Sequence, residues 1–216
     1  MSDRACLLPL VGDPARLVDL PPFLDDAPYR AAHDMRPALR ATLASRLDLP
    51  PEVPWLLAVG MMRPGDKLAS YAALADSLRH LADRPWRLLV AGDGPARPEI
   101  LQLFTAALPQ VYAACDLMTW PAVREAYGMA LLEAQAAGLP VVAGRTDGVP
   151  ATVADGETGL LVPPGDAGAF AAAVASLLDD RVRRRAMSAR AVARIASRHT
   201  VPAAADTLRR IMEPCL

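Results

Sequence analysis

Five short apolar runs, each closed by glycine or proline, constrain this chain more than any other feature. They are Trp55–Val59, Arg87–Ala91, Asp116–Trp120, Pro140–Ala143 and Gly159–Val162. Stretches with helical spacing separate them, at Leu68–Ala82, Pro98–Phe104, Gly128–Ala137 and Ala167–Leu178. Strand, turn and helix repeating in that order require parallel βαβ units with right-handed crossovers, hence a Rossmann-like α/β sheet. Further helices are expected at Arg36–Leu47, before the regular pattern begins, and at Arg181–Ser197 and Val201–Met212 after it. Small molecules bind such a sheet at the carboxyl ends of its strands, where helix N-termini direct free N–H groups outward. Attention therefore falls on the loops 60–67, 92–95, 121–127, 144–150 and 163–166.

Composition narrows the class. The chain has 216 residues, 53% hydrophobic and 22% charged, with a formal net charge of −1. That content excludes disorder for most of the length, and the charge balance argues against a nucleic-acid partner. No apolar run approaches the roughly 18 residues of a membrane span, and no cleavage signal follows the short apolar start, so the expected location is cytoplasmic. Cys6, Cys115 and Cys215 form neither a disulfide framework nor a zinc site, and no metal is expected. Lys67 is the only lysine among 23 basic residues. Chance explains that as well as function does, but a surviving lysine can be a compact point charge that arginine's fork does not replace.

Several loops hold residues suited to an anion. Gly60 and Gly65 let the loop after the first strand turn tightly, with Arg63 and Lys67 placed to reach a diphosphate. This is not a phosphate loop of the G-x-x-x-x-G-K-[ST] type, since Leu68 follows Lys67. Read alone, the loop is also a plain turn with solvated charges. Gly92-Asp93-Gly94-Pro95 is a second tight turn, equally an Asp-Gly turn that satisfies its own backbone. The strongest constellation runs from Glu125 to Gly138. Gly128 opens a helix whose first amides, at Gly128, Met129 and Ala130, form an anion site. Glu125 lies just outside that helix end. Glu133 lies within it among apolar neighbours, where a carboxylate needs a partner. Sugar hydroxyls would serve, and so would water at the helix edge.

At these residues the sequence resembles the carboxyl-terminal domain of a glycosyltransferase family 4 enzyme of the two-domain GT-B fold. The likeness rests on the E-x7-E pair Glu125/Glu133 and its continuation through Ala134, Ala136, Gly138, Pro140, Val141 and Val142. Gly60, Arg63, Lys67, the Gly92–Pro95 turn and the Asp155–Val162 segment support it, and it covers about residues 52 to 195. The resemblance implies that Arg63 and Lys67 hold a donor diphosphate, with Gly60 and Gly94 shaping the loops around it. Glu133 would hold the ribose hydroxyls, Glu125 would act catalytically beside the donor sugar, and the Gly128–Ala130 amides would cap the phosphate. It also implies transfer from a UDP-, GDP- or ADP-type sugar with retained configuration, without a cofactor and with cations and amides rather than a metal stabilising the leaving group.

Three departures accompany the likeness. Residues 1–48 are too few for the family's amino-terminal acceptor domain and are expected to resemble an interdomain linker with a first strand at Leu20–Asp25, with residues 49–216 expected to form the nucleotide-sugar domain, giving about six parallel strands. Little sequence remains between Phe104 and Tyr112 for a strand and turn that seat the base. The family's Gly-Gly-x-Pro-Glu reads Asp147-Gly148-Val149-Pro150-Ala151 here.

The primary expectation is thus the donor half of a retaining glycosyltransferase, working with an acceptor-domain protein partner. Its alternative is a non-catalytic remnant serving as a nucleotide-binding or interaction module. An epimerase of the same fold is disfavoured because its carboxylates span both domains. His33, His80 and His199 read as surface or structural residues. The arginine-rich late helix reads as a solvated face, with peripheral membrane contact as the lesser alternative. Trp55, Trp86 and Trp120 read as core.

Overall fold

The computed structural model describes residues 8–11, 13–18, 20–63, 65–94 and 111–212. Five strands form one sheet: β1 (Trp55–Val59), β2 (Arg87–Ala91), β3 (Leu117–Trp120), β4 (Val141–Gly144) and β5 (Gly159–Val162). All pairings are parallel, and the order across the sheet is β2-β1-β3-β4-β5. The helices are α1 (Ala27–Asp34), α2 (Arg36–Leu47), α3 (Asp66–Arg79), α4 (Met129–Ala136), α5 (Val149–Thr152), α6 (Ala167–Asp179), α7 (Arg181–Arg198) and α8 (Val201–Met212). The chain winds outward from β1 to β2, then returns past β1 to add β3, β4 and β5. Strand order therefore reverses between β1 and β3, which is the position in an open α/β sheet where a crevice opens beyond the strand ends.

The central strands read as continuous apolar runs because both faces are covered. Leu56, Leu57, Leu117, Met118, Val141 and Val142 are all fully buried. Helices α3 and α6 contact each other, while α4 contacts α1 and α7. β2 is the outer strand next to β1, and its Arg87 and Val90 are exposed accordingly.

Two expectations are corrected. The sheet of the described residues has five strands, not about six. Leu20–Asp25 contributes a single bridge from Leu24 to Thr200 instead of a first strand, because its backbone pairs with the α7–α8 junction and not with a sheet edge: the Leu24 amide donates to the His199 carbonyl at 2.9 Å. The lead-in also holds a helix, α1, that the sequence pattern did not suggest. The helix expected at Pro98–Phe104, and the shortened segment before Tyr112, lie outside the described residues.

The lead-in is bound to the sheet through Asp116, at the entry to β3. One carboxylate oxygen accepts from Arg36 at 2.8 Å; the other accepts from Arg40 at 2.8 Å and from the Trp55 amide at 2.9 Å. Arg40 also donates to the carbonyls of Pro51, Val53 and Ala114 and lies 4.4 Å over the Trp55 ring. One acidic side chain thus fastens α2 to the amino ends of β1 and β3. Asp116→Ala leaves two half-buried guanidinium groups and a strand amide without this acceptor. We expect a loss of roughly 3 kcal/mol in urea unfolding, with Asp116→Asn losing less.

Candidate functional site

At the carboxyl end of the sheet, the loops after β1, β3 and β4 enclose a cleft of about 2020 Å³. Arg63 lines it from the loop after β1 and Lys67 from the first turn of α3, Arg124 to Tyr127 from the second loop, and Asp147 and Gly148 from the third. The opposite wall comes from the lead-in (Leu17–Pro22 in part) and from α7 and α8, including Arg194, His199 and Asp206.

Lys67 and Glu125, 58 residues apart in sequence, meet directly through Nζ and Oε2. Their side chains are only 16% and 17% exposed, so this is a shielded pair, less screened than a surface salt bridge. The same Glu125 oxygen accepts from the Trp120 indole N–H at 3.2 Å. Lys67 Nζ lies 5.4 Å from the centre of the Trp120 ring, within range of its negative face. Trp120 is 2% exposed and packs edge-on against Tyr71, with ring centres 5.0 Å apart. Tyr71 in turn donates its hydroxyl to the Gly60 carbonyl at 2.6 Å. Arg63 is exposed on the rim, and among the described residues it has no carboxylate partner.

The loop bearing Glu125 is fixed at several points. The Val123 amide donates to Ser70 Oγ at 3.1 Å, Thr146 Oγ1 donates to the Ala122 carbonyl at 2.7 Å, and the Gly148 amide donates to the Glu125 carbonyl at 3.2 Å. Ala122 and Asp147 hold positive φ, at 51° and 38°, a strained region for residues with a side chain. That backbone accounts for a glycine at position 147 in the resembling family, and aspartate tolerates it better than most replacements. Gly148 is required for a different reason: a Cβ there would stand 1.7 Å from the Ala126 carbonyl oxygen.

The remaining predicted residues fall around this centre. Gly60 lies against Trp120, where a Cβ would come within 2.9 Å of the indole. Gly94 lies against loop 60–62, its own Cβ position 2.2 Å from the Met62 carbonyl oxygen. Its amide donates to the Asp93 side chain at 2.7 Å, the self-satisfied turn that was one of the two readings. Gly128 caps α4 in the left-handed conformation at φ 72°. The first turn bond of α4, Leu131 N–H to the Gly128 carbonyl at 2.8 Å, lies beyond the amides of Gly128, Met129 and Ala130. Among these three only Met129 is well exposed.

Glu133 stands apart from the Lys67 cluster. Its Oε2 accepts from the Tyr112 hydroxyl at 2.9 Å, and the Tyr112 ring is 6.0 Å from that of Tyr29. It is not among the residues lining the cleft. Burial raises the Glu133 carboxyl above the ordinary carboxylate range, against the lowering effect of the Tyr112 bond. Burial and the neighbouring Glu133 charge push both tyrosine hydroxyls up. The structure thus brings Arg63, Lys67 and Glu125 to one rim and turns Glu133 to a tyrosine pair.

Sequence reasoning placed Trp120 in the core and missed its N–H. Its position was a usable signal, since it ends β3 immediately before Pro121, at the sheet's carboxyl edge. His199 is buried as a structural residue, with Nδ1–H donating to the Pro22 carbonyl at 2.8 Å, and burial lowers its pKa. Among the described residues no cluster could hold a metal, and no helix is long and apolar enough to cross a membrane.

Fold and cleft together define an α/β domain of the GT-B type. Residues 53–180 match the family model described as glycosyl transferases group 1, and the chain belongs to that family. It is 35% identical over 231 residues to a D-inositol 3-phosphate glycosyltransferase of Kineococcus radiotolerans, covering 89% of this chain and 51% of the relative. It is 35% identical over 208 residues to the enzyme of that name from Nocardia farcinica, covering 85% and 44%. The chain therefore spans about half the length of these relatives. In fold it matches a glycosyltransferase from Rickettsia africae with a TM-score of 0.81 at 19% identity, over 98% of this chain and 62% of that one. It also matches Anabaena HepE, solved with UDP and glucose, with a TM-score of 0.70 at 21% identity, over 88% and 55%.

Because the folded state favours protonated Glu133, its charge costs stability above the raised pKa. That cost disappears as pH falls toward the unfolded value near 4.3. Glu133→Gln keeps an acceptor for Tyr112 without the charge. We expect its melting temperature to exceed the unaltered chain's by roughly 2–4 °C at pH 8, with the difference vanishing near pH 4.5, as followed by circular dichroism.

Proposed function

We propose that this chain is the carboxyl-terminal, donor-binding half of a retaining glycosyltransferase of family 4, which binds a nucleoside-diphosphate sugar and passes the glycosyl group to an acceptor. The observation that carries the reading is the convergence of Lys67, Arg63 and Glu125 on one cleft at the strand-order reversal. A diphosphate needs cations in a partly shielded crevice, and these two side chains supply a point charge and a fork. The family resemblance adds the amides of Gly128, Met129 and Ala130, at the positive end of α4 next to the Glu125 loop, of which Met129 is the exposed one. Group 1 membership and the UDP-bound HepE structures support a nucleotide sugar as ligand, with UDP as the first candidate.

In the reaction, the bond between the sugar's anomeric carbon and the diphosphate oxygen breaks, an acceptor hydroxyl bonds to that carbon on the same face, and the hydroxyl proton passes to the departing diphosphate oxygen. Lys67 and Arg63 stabilise the charge that gathers on the departing diphosphate. Glu125 faces the sugar, where its carboxylate accepts hydroxyl hydrogen bonds and stabilises positive charge developing at the ring. The family resemblance gives Glu133 the ribose hydroxyls; since it lies outside the cleft lining and accepts from Tyr112, a nucleoside would have to extend beyond the Lys67 rim and share or replace that bond. Acceptor recognition belongs to a further domain or partner protein, consistent with relatives about twice as long.

Isothermal titration of the purified chain with UDP and with GDP tests the reading. We expect UDP to bind and Lys67→Ala to weaken it at least about tenfold, the loss of one charge-assisted contact in a shielded site. Absence of binding by both nucleotides, or equal binding by the variant, overturns it.

A further inference from the structure

Lys67 is paired with a carboxylate of its own chain. Glu125 Oε2 occupies the place at Nζ that an anionic ligand would take, and Trp120 donates its indole N–H to the same oxygen. We infer that Glu125 is a built-in competitor for the diphosphate and that Trp120 is the positioning residue that keeps the displaced carboxylate at the sugar. This rests on the reading of the cleft given above and adds a selectivity device to it.

The physical argument has three parts. A ligand reaching Lys67 must exchange one charge-assisted bond for another, so the gain is the difference between two anions and not the whole attraction. A diphosphate, with more charge and more acceptor oxygens, and with Arg63 available on the rim, wins that exchange more readily than a monophosphate does. Glu125 discriminates between them by holding the lysine against weak competitors. Once Lys67 turns to phosphate, Glu125 retains the Trp120 N–H as donor. That indole is fixed by Tyr71 on one side and by the close approach of Gly60 on another, so the carboxylate stays in register beside the leaving group. The cation then loses its carboxylate at the moment the sugar arrives. Glu125 thereby competes with the diphosphate for Lys67 and, once displaced, serves the sugar.

Titrations of the full chain with UMP, UDP and UDP-glucose, in the unaltered form and in Glu125→Gln, Trp120→Phe and Lys67→Ala, test this. Glu125→Gln should bind UDP about five- to tenfold more tightly and UMP by at least the same factor, narrowing the preference for the diphosphate. Trp120→Phe should hold UDP within about twofold while UDP-glucose loses its advantage over UDP, a split that general damage to the fold would not produce. Should Trp120→Phe fail to fold, hydrogen exchange of the Trp120 indole proton in the unaltered chain replaces it. That proton is expected to stay protected when UDP binds, and faster exchange overturns the anchoring role. UDP binding to Glu125→Gln that is unchanged or weaker, while Lys67→Ala still loses affinity, overturns the competitor role and leaves the nucleotide reading intact. If Lys67→Ala binds UDP as well as the unaltered chain, both readings fall.

Discussion

A parallel sheet whose strand order turns back on itself leaves two neighbouring strands whose following segments depart in opposite directions, and the space between them is what this protein uses. β1 sends its chain to α3 and β2 on one side; β3 sends its chain to α4 and β4 on the other. The loops that leave β1 and β3 therefore lie side by side with no helix between them. Lys67 stands in the first turn of α3, where the β1 loop ends, and Glu125 in the β3 loop, and only this reversal brings them into contact. The paired carboxylate and ammonium, the indole beneath them and the arginine on the rim all depend on the same topological fact.

That juxtaposition is held by backbone more than by side-chain bulk. Ser70 on α3 and Thr146 after β4 reach the β3 loop from opposite sides, and Gly148 closes onto it through the Glu125 carbonyl. Glycines stand where two loops approach too closely for a Cβ, as at Gly94 against Met62 and at Gly148 against Ala126. The positive φ of Ala122 and Asp147 is the strain that the arrangement tolerates. Asp116 does comparable work at the other end of the strands, drawing two arginines of α2 onto the amino edge of the sheet. The lead-in is thereby packed as part of the domain, with its own helix, α1, against α4.

Much of the architecture was legible before any coordinates. Apolar runs of four or five residues, bounded by Gly or Pro, located all five strands to within a residue or so, most clearly for the central strands, whose two covered faces favour apolar side chains along the whole length. Arg36–Leu47, Ala167–Leu178 and Val201–Met212 were equally clear from helical spacing. α1 was not, since a short helix led by proline and carrying few apolar residues lacks a periodic signal. Leu20–Asp25 was misread as a strand, because an extended backbone does not reveal whether a partner edge awaits it. At the site, Arg63, Lys67 and Glu125 were named from loop position and charge, and the structure brings them to one rim. Trp120 was assigned to packing, since burial and hydrogen bonding by one indole leave the same trace in sequence.

The amino-acid sequence by itself determined the alternation of strands and helices, the glycines that tight loops require, and the charged residues at the carboxyl ends of the strands. These are local matters of period, backbone freedom and side-chain chemistry. Which charges meet was decided only by the tertiary structure. Glu125 and Glu133 are eight positions apart on one segment, yet one faces a lysine and an indole across the crevice while the other is turned to a buried tyrosine. Contacts between distant segments depend on strand order and helix packing, which no spacing along the chain encodes.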